Sequence, residues 1–160
     1  MSGNDPLSVV ETLAQNNDWR FERDAQDEIS ILVTGKWTEY QVSFTWFSET
    51  EVLHLACGFE MKVTPHRLNE VKELVSLING KLWVGHFDLW SREGIVLFRH
   101  SLLFPGDIRP TSTQCGLLLQ TAVDTCELHY PAFNYVLWAG KSAKESLDAV
   151  HALSTVEGEA

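Results

Sequence analysis

The sequence predicts an α+β fold: a twisted antiparallel sheet, made of a meander and a hairpin, flanked by helices. Three observations predict it. Between Ile29 and Met61 apolar residues alternate with polar ones in three runs joined by short links, and short links make neighbouring strands antiparallel. Residues 82–104 hold two apolar runs on either side of the turn Ser91-Arg92-Glu93-Gly94, a hairpin. Before, between and after these strands, apolar residues recur three and four apart, the period of a helix packed on one side. Helices lying on an antiparallel sheet define the class.

Asp5-Pro6 opens the first helix, because Asp accepts from orphan N–H groups and Pro suits the first turn. It runs to about Asn16, with Leu7, Val10, Leu13 and Ala14 inward. A short strand over 19–23 and a turn over 24–27 follow. Ile29, Ile31 and Val33 mark the next strand, closed by Gly35. Tyr40, Val42, Phe44 and Trp46 mark another, and Ser48-Glu49-Thr50 turns the chain. Leu53, Leu55, Cys57, Phe59 and Met61 then line one face of a third.

Thr64-Pro65 opens a second helix with an inner stripe of Leu68, Val71, Val75 and Ile78, widened by Leu74 and ended by Asn79-Gly80. After the hairpin, residues 105–110 form a loop. Helical spacing resumes past Thr111 or Ser112, with Leu118, Leu119, Ala122, Val123 and Cys126 inward. An unbroken helix from there to Ala139 would be ~42 Å long, against a diameter of ~30 Å for a compact domain of this size. Pro131 is therefore expected to kink or break it. Ser142-Ala143-Lys144-Glu145 is a capping box for a last helix carrying Leu147, Val150 and Leu153. The whole reads as one domain over 1–160, with flexible ends at 1–4 and 154–160.

Pairing Trp90 with Ile95 sets the faces of the hairpin. One face carries Trp83, Gly85, Phe87 and Leu89 against Val96, Phe98, His100 and Leu102. The other is apolar at its ends (Leu82, Val84, Trp90; Ile95, Leu97, Leu103) and polar between (His86, Asp88, Arg99, Ser101). A ribbon apolar on both faces needs a cover on both, from its own helices or from another chain.

A chain of 160 residues buries roughly 70% of its unfolded surface, enough to stand without a metal or disulfide staple. The net charge is −10, of which −8 falls within residues 1–60 (eleven acids, three bases). Such a balance repels phosphate backbones and anionic lipid, which disfavours nucleic acid and membrane partners. No apolar run approaches the ~20 residues of a membrane span, and the N-terminus lacks the pattern of a secretory signal. The expected location is the cytoplasm. Cys57, Cys115 and Cys126 show no ligand spacing and are expected as buried thiols.

Motifs for chemistry are scarce. Gly140-Lys141-Ser142 ends like a phosphate-binding loop, but Tyr135 stands where that loop needs a glycine, so a helix cap is the simpler reading. None of the six histidines has metal-ligand spacing; His100 is expected as a neutral core imidazole. No nucleophile elbow is present. His86, Asp88 and Arg99 come together on the polar middle of the hairpin, either as a binding spot or as a satisfied polar centre that fixes register. Trp37, Tyr40, Trp46, Trp83 and Trp90 are each expected first as core residues; Trp46 and Trp90, near turns, are the two best placed to reach a surface. Tryptophan is enriched where partners bind. The candidate partner-binding residues are thus Trp46, His86, Asp88, Trp90 and Arg99, and no catalytic, cofactor or metal residue is assigned.

Five segments resemble the bacterial YbjN family of sensory transduction regulators: GKWTEYQVSFTW at 35–46, LHLACGFEMKV at 53–63, LINGKLWVGHFDLW at 77–90, GIVLFRHSLL at 94–103 and YPAFNYVLWAGKSAKESLDA at 130–149. The closing residues from Ser154 look like the family's tail, and the resemblance runs from about Asp18 onward. It implies a fold like that of type III secretion chaperones, often dimeric, and supplies no catalytic residue to carry over. Fold does not fix function. The expected function is a non-catalytic regulatory or chaperone-like module, a homodimer that engages a protein segment without a cofactor. The alternatives are a small-molecule sensor or enzyme with a pocket around His86, Asp88 and Arg99, and a scaffold within a larger assembly.

Overall fold

A computed structural model describes residues 5–159, with side chains described as far as Ala152. The expected loose ends at 1–4, the residue 160, and every side chain from 153 on lie outside the described residues. Six strands form one antiparallel sheet: β1 (Phe21–Ala25), β2 (Glu28–Thr34), β3 (Glu39–Phe47), β4 (Val52–Lys62), β5 (His86–Trp90) and β6 (Ile95–Leu103), in the order β1-β2-β3-β4-β6-β5. Four helices accompany it: α1 (Ser8–Asn16), α2 (Leu68–Asn79), α3 (Ser112–Leu137) and α4 (Ala143–Glu159). The meander is therefore β1 to β4, and the hairpin β5-β6 docks on it through β6.

Strand alternation decides where the core sits. Ile29, Ile31, Tyr40, Val42, Phe44, Leu53, Leu55, Cys57, Phe87 and Phe98 are buried, and they all point to the same side of the sheet. The helices bury Val10, Val71, Leu74, Leu118, Ala122, Cys126 and Phe133 against them. Leu74, expected only to widen the second helix's stripe, is fully buried at its centre, while Val75 is partly buried. Phe59, Phe87 and Phe133 interlock at ring-centre distances of 5.5–6.0 Å. All three cysteines are buried with free thiols, and the Cys57 and Cys126 sulfurs lie 3.7 Å apart across β4 and α3.

Pro131 does not break the third helix. α3 runs 26 residues with Pro131 inside it, about 39 Å at 1.5 Å per residue. A proline in a helix interior costs about 3 kcal/mol. Around it Cys126, His129, Ala132, Phe133 and Val136 are all buried, and each large side chain among them returns roughly 1.5–3 kcal/mol. The packing wins. The excess length is solved by overhang: residues 111–114 at one end are exposed, and Trp138 at the other is 81% exposed.

Glu127 of α3 pins the β2–β3 turn. Its carboxylate accepts from the Lys36 and Trp37 backbone N–H groups and from the Tyr40 hydroxyl at 2.7 Å. Gly35 permits the approach, since a Cβ there would lie 2.4 Å from the Tyr40 ring and 2.8 Å from Glu127 Oε1. At the opposite edge of the sheet the Asn79 amide accepts from Phe87 N–H at 2.7 Å and donates to Phe87 C=O at 2.9 Å. That pairing occupies the outer edge of β5, the kind of protection an edge strand needs.

Burial, then the Glu127 hydrogen bond and charge, push the Tyr40 phenol well above its ordinary value of 10.0. As pH rises past 10.0, the unfolded chain loses that proton first, so stability falls from there upward. In urea titrations Tyr40→Phe is expected to flatten this alkaline decline, and Glu127→Ala to cost about 1–3 kcal/mol at neutral pH, where it strands the buried Tyr40 hydroxyl.

Candidate functional site

With the helices on one side of the sheet, the other side faces solvent. Its residues on the last three strands are His54, Ala56 and Gly58 on β4, Ile95, Leu97, Arg99 and Ser101 on β6, and His86, Asp88 and Trp90 on β5. The hairpin register is the expected one, with Trp90 opposite Ile95 and His86 opposite Arg99. Gly94, at φ +69, closes its turn by donating to the Trp90 carbonyl at 2.8 Å.

The predicted polar cluster forms. Arg99 Nη1 donates to Asp88 Oδ2 at 2.9 Å, and both side chains are about a third exposed, at 37% and 35%. Burial opposes ionisation of Asp88, but the Arg99 hydrogen bond, the Leu89 N–H and the Arg99 charge outweigh it and hold the carboxyl below its ordinary range. His86 faces Arg99 across the strands and is exposed.

His54 completes the network and was not foreseen. Its Nε2 lies 3.4 Å from the donating Arg99 Nε, and its Nδ1 lies 2.8 Å from the Ser101 hydroxyl. With Nε2 accepting, a neutral ring carries its proton on Nδ1 and donates to Ser101. Burial first, then the charges of Arg99, His86 and His100, lower its pKa, which agrees with a neutral ring. The signal for His54 was its outward alternation on β4, but it becomes useful only once β4 is known to pair with β6.

The tryptophans divide differently from expectation. Trp90 is 46% exposed on the open face. Trp46 belongs to the opposite, helix-covered face, where it is half-buried 6.5 Å from the Phe104 ring; it does not join the cluster. Trp83 is 99% exposed and Trp37 is 48% exposed, so neither is core. The strand that was expected to hold residues 82–85 begins only at His86, and Gly85 at φ +68 turns the chain just before it. His100 is only half-buried, with its pKa lowered chiefly by burial. The core imidazole is instead His129, which donates from Nδ1 to the Thr125 carbonyl at 2.9 Å and packs edge-on against Phe87.

Beside the cluster the open face is concave. The concavity takes in Trp90, Ile95 and Leu97 but none of His86, Asp88 and Arg99. Those three lie on the sheet surface next to it. Among the described residues no group of three His, Cys, Asp or Glu side chains could hold a metal ion, and no helix is long and apolar enough to cross a membrane.

The family model described as "Putative bacterial sensory transduction regulator", YbjN, matches residues 6–134. The chain belongs to the YbjN family. The match begins earlier than Asp18, at the first helix, and stops before most of 130–149 and the closing residues that also look like the family. No curated protein matches the sequence. In structure the chain is similar to the crystal structure of "YbjN, a putative transcription regulator from E. coli", with a TM-score of 0.54 and 11% identity over 84% of this chain and 90% of that one. It is also similar to a chain of the ExsC-ExsE complex, with a TM-score of 0.51 and 14% identity over 76% and 88%. The fold is the α+β, type III secretion chaperone-like one that the resemblance implied.

Replacing Arg99 by Gln removes one of the charges that depress His54. Histidine side-chain NMR titration is expected to show the His54 pKa rising in that variant yet staying below 6.5, because burial is the larger cause. An unchanged His54 would mean that Arg99 does not face it in solution.

Proposed function

We propose that this YbjN-family chain is a non-catalytic regulatory or chaperone-like module of the cytoplasm, a single domain that works as a homodimer and binds a segment of another protein on its open sheet face. One observation carries the reading: apolar side chains stand in solvent on that face, with Ile95 39%, Trp90 46%, Phe47 49% and Leu103 73% exposed, while the helices all pack on the other. These residues stand at the two ends of the face with the polar cluster between them, and exposed apolar groups bordered by polar residues mark an interaction surface. The ExsC-ExsE complex gives a precedent for this fold holding a protein partner. The candidate contact residues are Trp90, His86, Asp88 and Arg99, with His54 behind them. Trp46 no longer stands among them.

The homodimer reading rests on a different surface. Leu117 is 64% exposed and Leu128 46% exposed. Eleven residues apart, they share one stripe of α3, about 20° from alignment at 3.6 residues per turn. Trp138, 81% exposed, stands at the end of the same helix. Between the two leucines the stripe carries Gln120, Thr121, Asp124 and Thr125, and a two-fold axis would bring this surface of two copies together. The net charge of −10 favours a protein partner over DNA or an anionic membrane.

Sedimentation equilibrium at about 10 μM, well above a nanomolar-class Kd, is expected to give a dimer for the wild type and a monomer for Leu117→Glu with Leu128→Glu. A monomeric wild type contradicts the homodimer. Affinity capture from the native cytoplasm, read by mass spectrometry, is expected to retain a protein partner that Leu103→Asp and Trp90→Ala each release. A partner held equally by both variants would contradict recognition on the open face.

A further inference from the structure

The concavity on the open face has a structural cause. From Gly58 to Lys62 β4 takes four residue steps, while β6 takes two from Leu97 to Ile95, so two extra residues are absorbed there. Bulges of this kind bend a strand and re-aim its side chains. Phe59, Glu60 and Met61 have no partner on β6, and a hollow of 970 Å³ opens over the splayed strands.

Its chemistry is two-part. Leu97 and Ile95 form an apolar floor, with the Trp90 indole beside them. At Gly58 the floor carries no side chain, and a Cβ built there meets nothing within 4 Å. Around the floor stand the carboxylates of Glu39, Glu60 and Glu93 against a single cation, Lys62. Arg99, opposite the lining residue Ala56, is held by Asp88.

We propose that this hollow takes a segment of a partner protein in which bulky apolar side chains are flanked by lysine or arginine. The proposal rests on the protein-binding reading above and adds the chemistry of the partner. Apolar side chains displace water from the floor, and the flanking cations meet the three carboxylates at the rim. A second copy of this chain is the poorer occupant, because it brings a further −10 of charge to an acidic rim. Charge complementarity of this kind sets specificity and association rate.

Gly58 supplies an unusual test, because a Cβ added there meets nothing within 4 Å, so a large side chain enters the hollow from an unstrained strand position. The probes are fluorescein-labelled twelve-residue peptides of alternating leucine and lysine, leucine and glutamate, and serine and lysine, titrated with the full chain by anisotropy. The leucine–lysine peptide is expected to bind about tenfold or more tighter than either control, and to weaken as salt shortens the reach of the rim charges. Gly58→Phe and the double reversal Glu39→Lys with Glu60→Lys are each expected to lose that binding about tenfold, with far-UV circular dichroism and the thermal midpoint confirming the fold. The exposed reversals test the idea even if Gly58→Phe fails to fold. Equal binding of the glutamate peptide, or full binding by a folded variant, overturns the proposal. A native partner released by Leu103→Asp but held by both the filled and the reversed hollow overturns it too, while leaving recognition on the open face standing. No native partner under any condition removes the parent reading instead.

Discussion

One-sided cover is the constraint on which the rest of this structure depends. Side chains on a strand alternate between two faces, and this chain spends its helices on one of them. Phe44, Leu55, Phe87 and Phe98 disappear under α1–α4, and the helix residues that meet them supply the other half of a single core. What remains is a broad sheet surface whose apolar residues have no cover from the described chain. The outer Leu97 is 4% exposed, buried by its strand neighbours, which shows that this surface has relief as well as area.

Several polar contacts hold that arrangement in register instead of adding to its bulk. Glu127 reaches from α3 to the β2–β3 turn, so the longest helix and the meander cannot slide independently. Arg23 on β1 meets Asp5 at 2.6 Å and Glu11 at 2.9 Å, which docks the first helix on the first strand. Asn79 copies a strand partner for Phe87 at the opposite edge. The Asn79 pairing with Phe87 and the Glu127 bond to Tyr40 would cost more to leave unmade than they cost to make, since a buried polar group without a partner forfeits its hydration; the partly exposed Arg23 pairs add little stability and act mainly on register. With the outer edge of β5 paired in this way, that rim is closed to a further strand.

The hairpin was legible in the sequence because two local rules agree on it. A turn at 91–94 and period-two alternation fix Trp90 opposite Ile95, and the His86, Asp88 and Arg99 neighbourhood follows. His54 was not legible, because β4 and β6 are separated in the chain by a whole helix, and local pattern carries no information about that pairing. Pro131 does not break α3, because the burial of Phe133 and Val136 outweighs the local penalty and both helix ends overhang the domain. Trp83 and Trp46 misled for opposite reasons. Gly85 delays the start of the strand and leaves Trp83 in solvent, while Trp46, next to a turn, is turned by alternation toward the helices. The concavity depends on a bulge in β4, and neither strand shows it when read alone.

Side-chain footprinting of the free protein tests the central claim most directly, since it reads solvent contact residue by residue. Hydroxyl-radical labelling followed by mass spectrometry should modify Trp90, Ile95, Phe47 and Leu103 in step with their exposure, and leave Phe87, Phe98 and Phe133 untouched. Equal protection of both sets would mean that the supposedly open face is covered, and the account of recognition on it would be wrong.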